Sequence, residues 1–101
     1  MTLKQAKKLH KELWGWLAKN PSKDKWHWPQ WKENGGKLKW VEMGCFGCEI
    51  ANGNCVRCPI IWPDGECCNS DDTGLYDRWS RARKKDKPLL AIQIRDLPWR
   101  Y

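Results

Sequence analysis

All six cysteines of this 101-residue chain lie between residues 45 and 68, and their spacing constrains the fold more than any other feature of the sequence. The order is Cys45-x2-Cys48-x6-Cys55-x2-Cys58-x8-Cys67-Cys68. A C-x2-C turn lets two sulfurs point to one side, and two such turns that face each other provide the four thiolates that Zn²⁺ prefers. Asn52-Gly53 between the pairs favours a tight reversal of the chain. The sequence therefore predicts a zinc knuckle.

The predicted zinc ligands are Cys45, Cys48, Cys55 and Cys58. The two pairs are separated by fewer residues than the roughly 15–20 of ribbon-type sites, which leaves the fourth ligand open. Cys67 competes with Cys55 for that place, and Cys68 is a weaker candidate, since both follow the turn at Pro63-Asp64-Gly65. An iron–sulfur cluster is the alternative cofactor, because thiolates also bind iron. His10 and His27 are more typical of packing and hydrogen bonding than of metal ligation.

Residues 1–8 are too polar for the core of a signal peptide, and the chain lacks the run of about 18 apolar residues that a membrane-spanning helix needs. We therefore expect a cytoplasmic protein that does not contact a membrane. Cytosolic thiols stay reduced, so cysteines there bind metal more often than they form disulfides. An exported disulfide-linked domain is the alternative interpretation.

Aliphatic residues are scarce in this chain. Ile, Leu, Val and Phe together number 17, and 19 basic residues stand against 12 acidic ones, a balance typical of disorder. Nine tryptophans offset the shortage, because each one buries a large area. We expect five of them in the core, namely Trp14, Trp16, Trp40, Trp62 and Trp79. The length indicates one domain, residues 1–101, and excludes Rossmann domains, barrels and kinases.

Apolar periodicity predicts an N-terminal helix. Thr2 and Gln5 have the spacing of a capping box, apolar residues from Leu3 to Leu17 then recur every three to four positions, and Asn20-Pro21 ends the pattern. The predicted helix covers residues 3–19 of an N-terminal unit 1–20. Its inner stripe comprises Leu3, Ala6, Leu9 or His10, Leu13, Trp16 and Leu17.

The C-terminal part, residues 73–98, is also expected to be helical. Thr73 is positioned to cap a helix from Leu75 to about Lys85, and Pro88 can open a last helix over residues 89–97. The run from Leu89 to Ile94 is nearly all apolar, so a buried strand is the alternative there. A further short helix from Pro29 to Asn34 is predicted between the first helix and the cysteines.

The sequence carries no recognised catalytic motif. It lacks H-E-x-x-H, a P-loop, G-x-S-x-G and G-x-G-x-x-G, and the order of its His and Cys residues does not fit a zinc deaminase or a His-metal nuclease. Catalytic zinc keeps an open coordination position, whereas four thiolates predict a closed structural site. We therefore expect a protein that is not an enzyme.

Charge changes sign twice along the chain. The net charge is +7 over residues 1–40, −6 over 41–77 and +6 over 78–101. The predicted knuckle is therefore acidic, and any nucleic acid would have to be held by the basic arms. The expected partner-binding residues combine cations with large aromatic rings, which dominate interface energies. They are Trp26, Trp28, Trp31, Arg78, Arg81, Arg83, Lys84 and Lys85, with Trp99 as a further tryptophan suited to a partner surface.

Four short stretches resemble a loosely defined group of small proteins, rich in Cys and Trp, that phages and prophages of Gram-positive bacteria encode. The stretches are Leu9-His10-Lys11-Glu12-Leu13-Trp14-Gly15-Trp16, Cys45-Phe46-Gly47-Cys48-Glu49, Cys58-Pro59-Ile60-Ile61-Trp62 and Gly74-Leu75-Tyr76-Asp77-Arg78-Trp79. The resemblance implies the structural order helix, cysteine knuckle, helix. It also implies a phage setting, with a bacterial host cell as the location, and no particular chemistry.

These observations together predict a small, mainly α protein whose helices pack around a loop-rich zinc knuckle at residues 45–68. The expected function is that of a zinc-stabilised module that binds a host or phage protein, as an inhibitor of a host process or a defence system. Binding of nucleic acid or a nucleotide through the basic arms and exposed tryptophans is the alternative.

Overall fold

The computed structural model describes residues 2–38, 46–51, 58–63 and 74–100. This part of the chain is mainly helical, as the sequence predicts. Its four α-helices are α1 (Leu3–Lys19), α2 (Phe46–Ala51), α3 (Leu75–Arg81) and α4 (Lys87–Arg95). Two single-turn 3₁₀ helices, Lys25–His27 and Lys32–Asn34, follow α1. α1 packs against both α2 and α4, and α3 packs against α4.

The N-terminus of α1 carries the predicted capping box. The Thr2 hydroxyl accepts a hydrogen bond from the Gln5 backbone N–H at 3.1 Å, and the Gln5 side chain accepts one from the Thr2 N–H at 3.0 Å. The helix ends at Lys19, where the Asn20 side chain donates to the Trp16 carbonyl at 2.8 Å. The predicted bounds of α1 are therefore confirmed.

The buried face of α1 is rotated slightly from the predicted stripe. Its buried residues are Ala6, His10, Leu13, Trp14 and Leu17. Leu9 and Trp16 are only partly buried. Trp14 takes the inner position because its ring packs on α3, with centroids 4.7 Å from Trp79 and 6.0 Å from Tyr76.

The last apolar run is a helix and not a strand. α4 has Pro88 in its first turn, and it buries Ala91 and Ile94 against α1. The His10 ring lies 2.9 Å, through Nε2, from the Ile94 carbonyl oxygen. The segment is a helix and not a strand because α1 presents one apolar face for it to pack on. The described part of the chain contains no strand with which it could pair.

α3 is shorter than predicted. It ends at Arg81, four residues before the expected Lys85, because Ala82 adopts an extended conformation. Residues 83–87 then form a turn in which the N–H groups of Asp86 and Lys87 donate to the Arg83 carbonyl. Gly74 occupies the N-cap position that was predicted for Thr73, which lies outside the described residues.

Residues 24–38 form a compact loop in place of the predicted helix from Pro29 to Asn34. A bridge joins Trp31 to Leu38, and the two 3₁₀ turns lie on either side of Pro29. Gly35 has φ +94°, and a Cβ on Gly36 would overlap the backbone of Pro29 and Gln30. The Gly35-Gly36 pair therefore closes this loop, which helical propensity alone does not reveal.

Candidate metal centre and partner surface

Cys58, the cysteine of the second C-x2-C pair that the structure describes, lies against Gly47 of α2. A Cβ on Gly47 would stand 3.0 Å from the Cys58 sulfur and 2.7 Å from Cδ1 of Ile60. Gly47 is one of the two residues between Cys45 and Cys48, and it belongs to α2. The chain therefore brings the Cys58 thiol to the backbone of the first C-x2-C turn.

This proximity is what a site built from two C-x2-C pairs requires. The backbone of Cys48 lies in α2, one residue after Gly47, while its side chain is outside the description. Cys45, Cys55, Cys67 and Cys68 lie outside the described residues. Within residues 2–38, 46–51, 58–63 and 74–100, no three His, Cys, Asp or Glu side chains are grouped closely enough to hold a metal ion. The four-thiolate site stays a prediction.

Aromatic packing holds α2 in place. The Phe46 ring lies 5.9 Å from the Trp31 ring in a stacked arrangement and 6.2 Å from the Trp28 ring, edge to face. The Trp28 and Trp31 rings are themselves 5.2 Å apart. The Trp31 indole N–H donates to the Lys25 carbonyl at 2.8 Å. This cluster of three rings, the Phe46 cluster, connects the loop of residues 24–38 to the first cysteine pair.

The prediction that Trp28 and Trp31 belong to an exposed partner surface is wrong. Their exposed fractions are 3% and 2%, so neither ring is available to a partner. The local sequence is polar and rich in turn formers, which suggested exposure. The rings are buried because Phe46, which is distant in sequence, covers them.

Cys58 is also tied to the end of the chain. A bridge joins Ile60 to Trp99, the Ile61 N–H donates to the Pro98 carbonyl at 2.8 Å, and the Arg100 N–H donates to the Pro59 carbonyl at 2.7 Å. These bonds fix the backbone that follows Cys58 relative to the end of α4. The buried Cys58 side chain is therefore positioned by elements on both sides of it.

Both histidines serve the fold, as the sequence indicates. His10 is buried, and its Nε2 must carry a proton to donate to the Ile94 carbonyl. Its ring packs edge to face on Trp99 at 5.4 Å, so Trp99 is partly buried, and its role in a partner surface stays a prediction. His27 accepts the Asp24 N–H through Nδ1 at 3.2 Å.

The remaining tryptophans divide as follows. Trp14, Trp62 and Trp79 are buried, Trp16 packs against the core, and these placements agree with the prediction. Trp40 lies outside the described residues. Trp26 is 57% exposed, so it alone of the three predicted interface tryptophans is accessible.

All five predicted basic contact residues are exposed. They are Arg78 and Arg81 on α3 and Arg83, Lys84 and Lys85 in the turn that follows. The guanidinium of Arg81 forms an ion pair with Asp77 at 3.2 Å, one helical turn away. Leu89 lies in the first turn of α4, four residues after Lys85 in the sequence, and 64% of it is exposed.

The sequence did not predict a buried lysine, because a Lys beside Trp in a polar stretch normally faces water. Lys25 is only 7% exposed, and its ammonium lies 4.5 Å from the centre of the Tyr76 ring and 5.8 Å from that of Trp26. Cation–π attraction compensates in part for its lost hydration. Lys25 therefore joins the loop of residues 24–38 to α3, and it brings exposed Trp26 close to that helix.

No family model, curated protein or solved structure matches this chain. The helices in the described part of the chain are too short or too polar to cross a membrane.

Proposed function

We propose that this protein is a non-enzymatic binding module, that zinc stabilises its cysteine segment, and that it acts by binding a protein partner. In the phage setting that the resemblance implies, the partner is a host or phage protein, and the role is inhibition of a host process or a defence system. The observation that carries the binding function is the exposure of three large apolar side chains, Trp26, Ile61 and Leu89.

Their exposure is informative because the chain contains few apolar residues from which to build a core. With only 17 Ile, Leu, Val and Phe residues, a fold selected for stability alone would bury Ile61 and Leu89. Large apolar side chains rimmed by charged ones are typical of protein interfaces. Trp26 adjoins Lys25, and Leu89 follows Lys87 by two residues, which matches a partner with acidic groups around apolar pockets.

The zinc part of the proposal rests on the contact between Cys58 and α2. Cys58 of the second C-x2-C pair packs on Gly47, where a Cβ would stand 3.0 Å from the sulfur and 2.7 Å from Cδ1 of Ile60. Four thiolates from the two pairs make a closed structural site with no open position for a substrate. The predicted set is Cys45, Cys48, Cys55 and Cys58, with Cys67 as the competing fourth ligand.

An affinity pull-down tests the binding function. The intact, metal-loaded chain is immobilised and exposed to lysate of a Gram-positive bacterium, and the account expects one protein to be retained in stoichiometric amount. The matched control carries Trp26→Ser, Ile61→Ser and Leu89→Ser together, all on the surface, and should fold but lose that protein. Failure to recover any stoichiometric protein, or equal recovery by the control, contradicts the proposal.

Nucleic-acid binding is the second candidate, and the exposed cations at residues 78–85 favour it. These charges match phosphate, and Trp26 offers one ring for base stacking. A gel shift with single- and double-stranded DNA and RNA at low and moderate salt decides the matter. Absence of a shift at low salt ends this candidate, while binding that survives moderate salt supports it over a protein partner.

A further inference from the structure

The turn between α3 and α4 concentrates unbalanced positive charge. Residues 78–87 contain six basic side chains and one acidic side chain, Asp86, which gives a net charge of +5. In the described part of the chain, Arg78, Arg83, Lys84 and Lys85 take part in no ion pair or side-chain hydrogen bond. We call Arg83, Lys84, Lys85 and Leu89 the basic corner.

The position of these charges costs folding free energy. The cations of the basic corner directly precede the first turn of α4. That turn contains no acidic residue, and the Asp86 side chain does not cap the helix. Positive charge at the start of a helix opposes the helix dipole, and neighbouring like charges repel one another. Only the C-terminus of α3 benefits from them. A stability role therefore does not account for the charges.

Leu89 adds an apolar group to the same surface. It lies in the first turn of α4, and Lys85 lies in the turn that leads into this helix, two residues before α4 begins, so both belong to the same end of α4. It is the most exposed of the large apolar residues that the structure describes, at 64%. Phosphate would use the cations and leave Leu89 in water, because nucleic acids bind through charge and through stacking on aromatic rings. An acidic protein segment with an apolar side chain uses both.

We propose that the basic corner docks an acidic protein segment, whose carboxylates face Arg83, Lys84 and Lys85 and whose apolar side chain covers Leu89. This inference rests on the proposed protein-binding function and assigns it a site. The cations steer the approach and fix the orientation of the segment, and Leu89 is the anchor that excludes water.

Fluorescence anisotropy with synthetic peptides tests the site on the intact, metal-loaded chain. The first peptide repeats Glu and Leu, the second replaces each Leu by Ser, and the third replaces each Glu by Gln. A single-stranded oligothymidylate serves as the nucleic-acid probe. We expect the Glu/Leu peptide to bind at least about tenfold more tightly than either matched peptide, since each of those uses only half of the site.

Two variants and two matched controls locate the binding. Leu89→Ala should weaken the Glu/Leu peptide about tenfold and leave the Glu/Ser peptide unchanged, the loss expected of an anchor residue. Lys84→Glu with Lys85→Glu should weaken both acidic peptides. Gln30→Ala is the control for truncation of an exposed side chain outside the basic corner. Lys4→Glu with Lys8→Glu makes the same change in net charge on exposed positions of α1, and neither control should reduce binding. Circular dichroism checks that every variant is folded.

Three results overturn the inference. They are an unchanged affinity in Leu89→Ala, an equal loss in the α1 charge control, and tighter binding of the oligothymidylate than of the Glu/Leu peptide. The pull-down separates this inference from the proposed function. If the captured protein binds the Leu89 and Lys84/Lys85 variants as well as it binds the unchanged chain, the protein-binding function stands and the basic corner is not its site.

Discussion

Two regions of this small protein differ in how their helices are held in place. In the helical region, α1, α3 and α4 pack on one another and bury the apolar side chains Leu13, Leu17, Ile94 and Trp79. In the cysteine region, α2 has only six residues, and it is held by the Phe46 cluster on one side and by Cys58 and Ile60 on the other. An isolated helix that short is not stable in water, so α2 depends on its neighbours.

The two regions should therefore respond differently to amino-acid substitution. Loss of an apolar side chain in the helical region removes a definite amount of buried area. At the proposed zinc site, loss of a thiolate should remove the metal, and with it the free energy by which metal binding orders such a segment. Four sets of substitutions test this difference, and they are given in order of decreasing effect on stability.

Cys58→Ser should have the largest effect. A hydroxyl in place of the buried sulfur removes one predicted ligand, and we expect a loss of about 4 kcal/mol or more in the free energy of unfolding, as for loss of a structural metal. Cys68→Ser, outside both C-x2-C pairs, is the matched control and should change little. Urea unfolding with metal analysis measures both. Equal stability and equal metal content in the two variants would show that the ligands are assigned wrongly.

Trp31→Ala should come second. The Trp31 ring is buried between Trp28 and Phe46, and its removal should cost about 3–5 kcal/mol, the usual range for truncation of a buried tryptophan. Trp26→Ala, five residues earlier and exposed, should cost less than about 0.5 kcal/mol. Chemical denaturation compares them. A similar loss in both variants would contradict the burial of Trp31 beneath α2.

Two helical glycines should respond in opposite directions. A Cβ on Gly15 of α1 meets only Cδ of Arg95 at 3.8 Å, so Gly15→Ala should stabilise the protein by about 0.5–1 kcal/mol. A Cβ on Gly47 of α2 collides with Ile60 and the Cys58 sulfur, so Gly47→Ala should cost about 1–3 kcal/mol. Thermal unfolding gives the sign of each change. Stabilisation by Gly47→Ala would mean that Cys58 does not pack on α2.

The smallest effect concerns Asp96 at the end of α4. Arg95 donates two hydrogen bonds to its carboxylate, at 2.9 and 3.0 Å, and these bonds, assisted by Lys11, lower the pKa of Asp96. Because the folded-state pKa is lower than the unfolded-state pKa, the pair stabilises the protein above the unfolded value. That contribution is lost as the pH falls through the folded-state pKa.

Asp96→Asn should therefore lower Tm slightly at neutral pH and not at all below the carboxyl pKa. Added salt should remove most of the difference, since the pair is exposed. Melting curves of the two proteins across this pH range check the sign. A larger difference in acid than at neutral pH would contradict the assignment.

Local signals in the sequence predicted the helical region well. Thr2, Gln5 and Pro21 mark the ends of α1, and the apolar period of α1 is visible without any knowledge of its partners. The end of α3 was predicted four residues late, because nothing in the composition of residues 82–85 signals the extended Ala82. The choice of helix for α4 required knowledge of the α1 face on which it packs.

The cysteine region depended on contacts between residues far apart in sequence. The zinc site was predicted from the spacing of the two C-x2-C pairs alone and stays a prediction, while the contact of Cys58 with Gly47 could not be predicted from the sequence. Burial of Trp28 and Trp31 was not predictable from their polar neighbours, since the ring that covers them is Phe46. The available signal was the aromatic content of residues 26–31, which is also compatible with a place in the core.

Native mass spectrometry of the purified chain, combined with thermal unfolding before and after chelation, is the direct test of whether zinc stabilises the cysteine segment. The account predicts one tightly bound zinc ion per chain, its removal by the chelator, and a large fall in Tm that added Zn²⁺ restores. A chain that carries no metal, and that unfolds at the same temperature with and without the chelator, would contradict it.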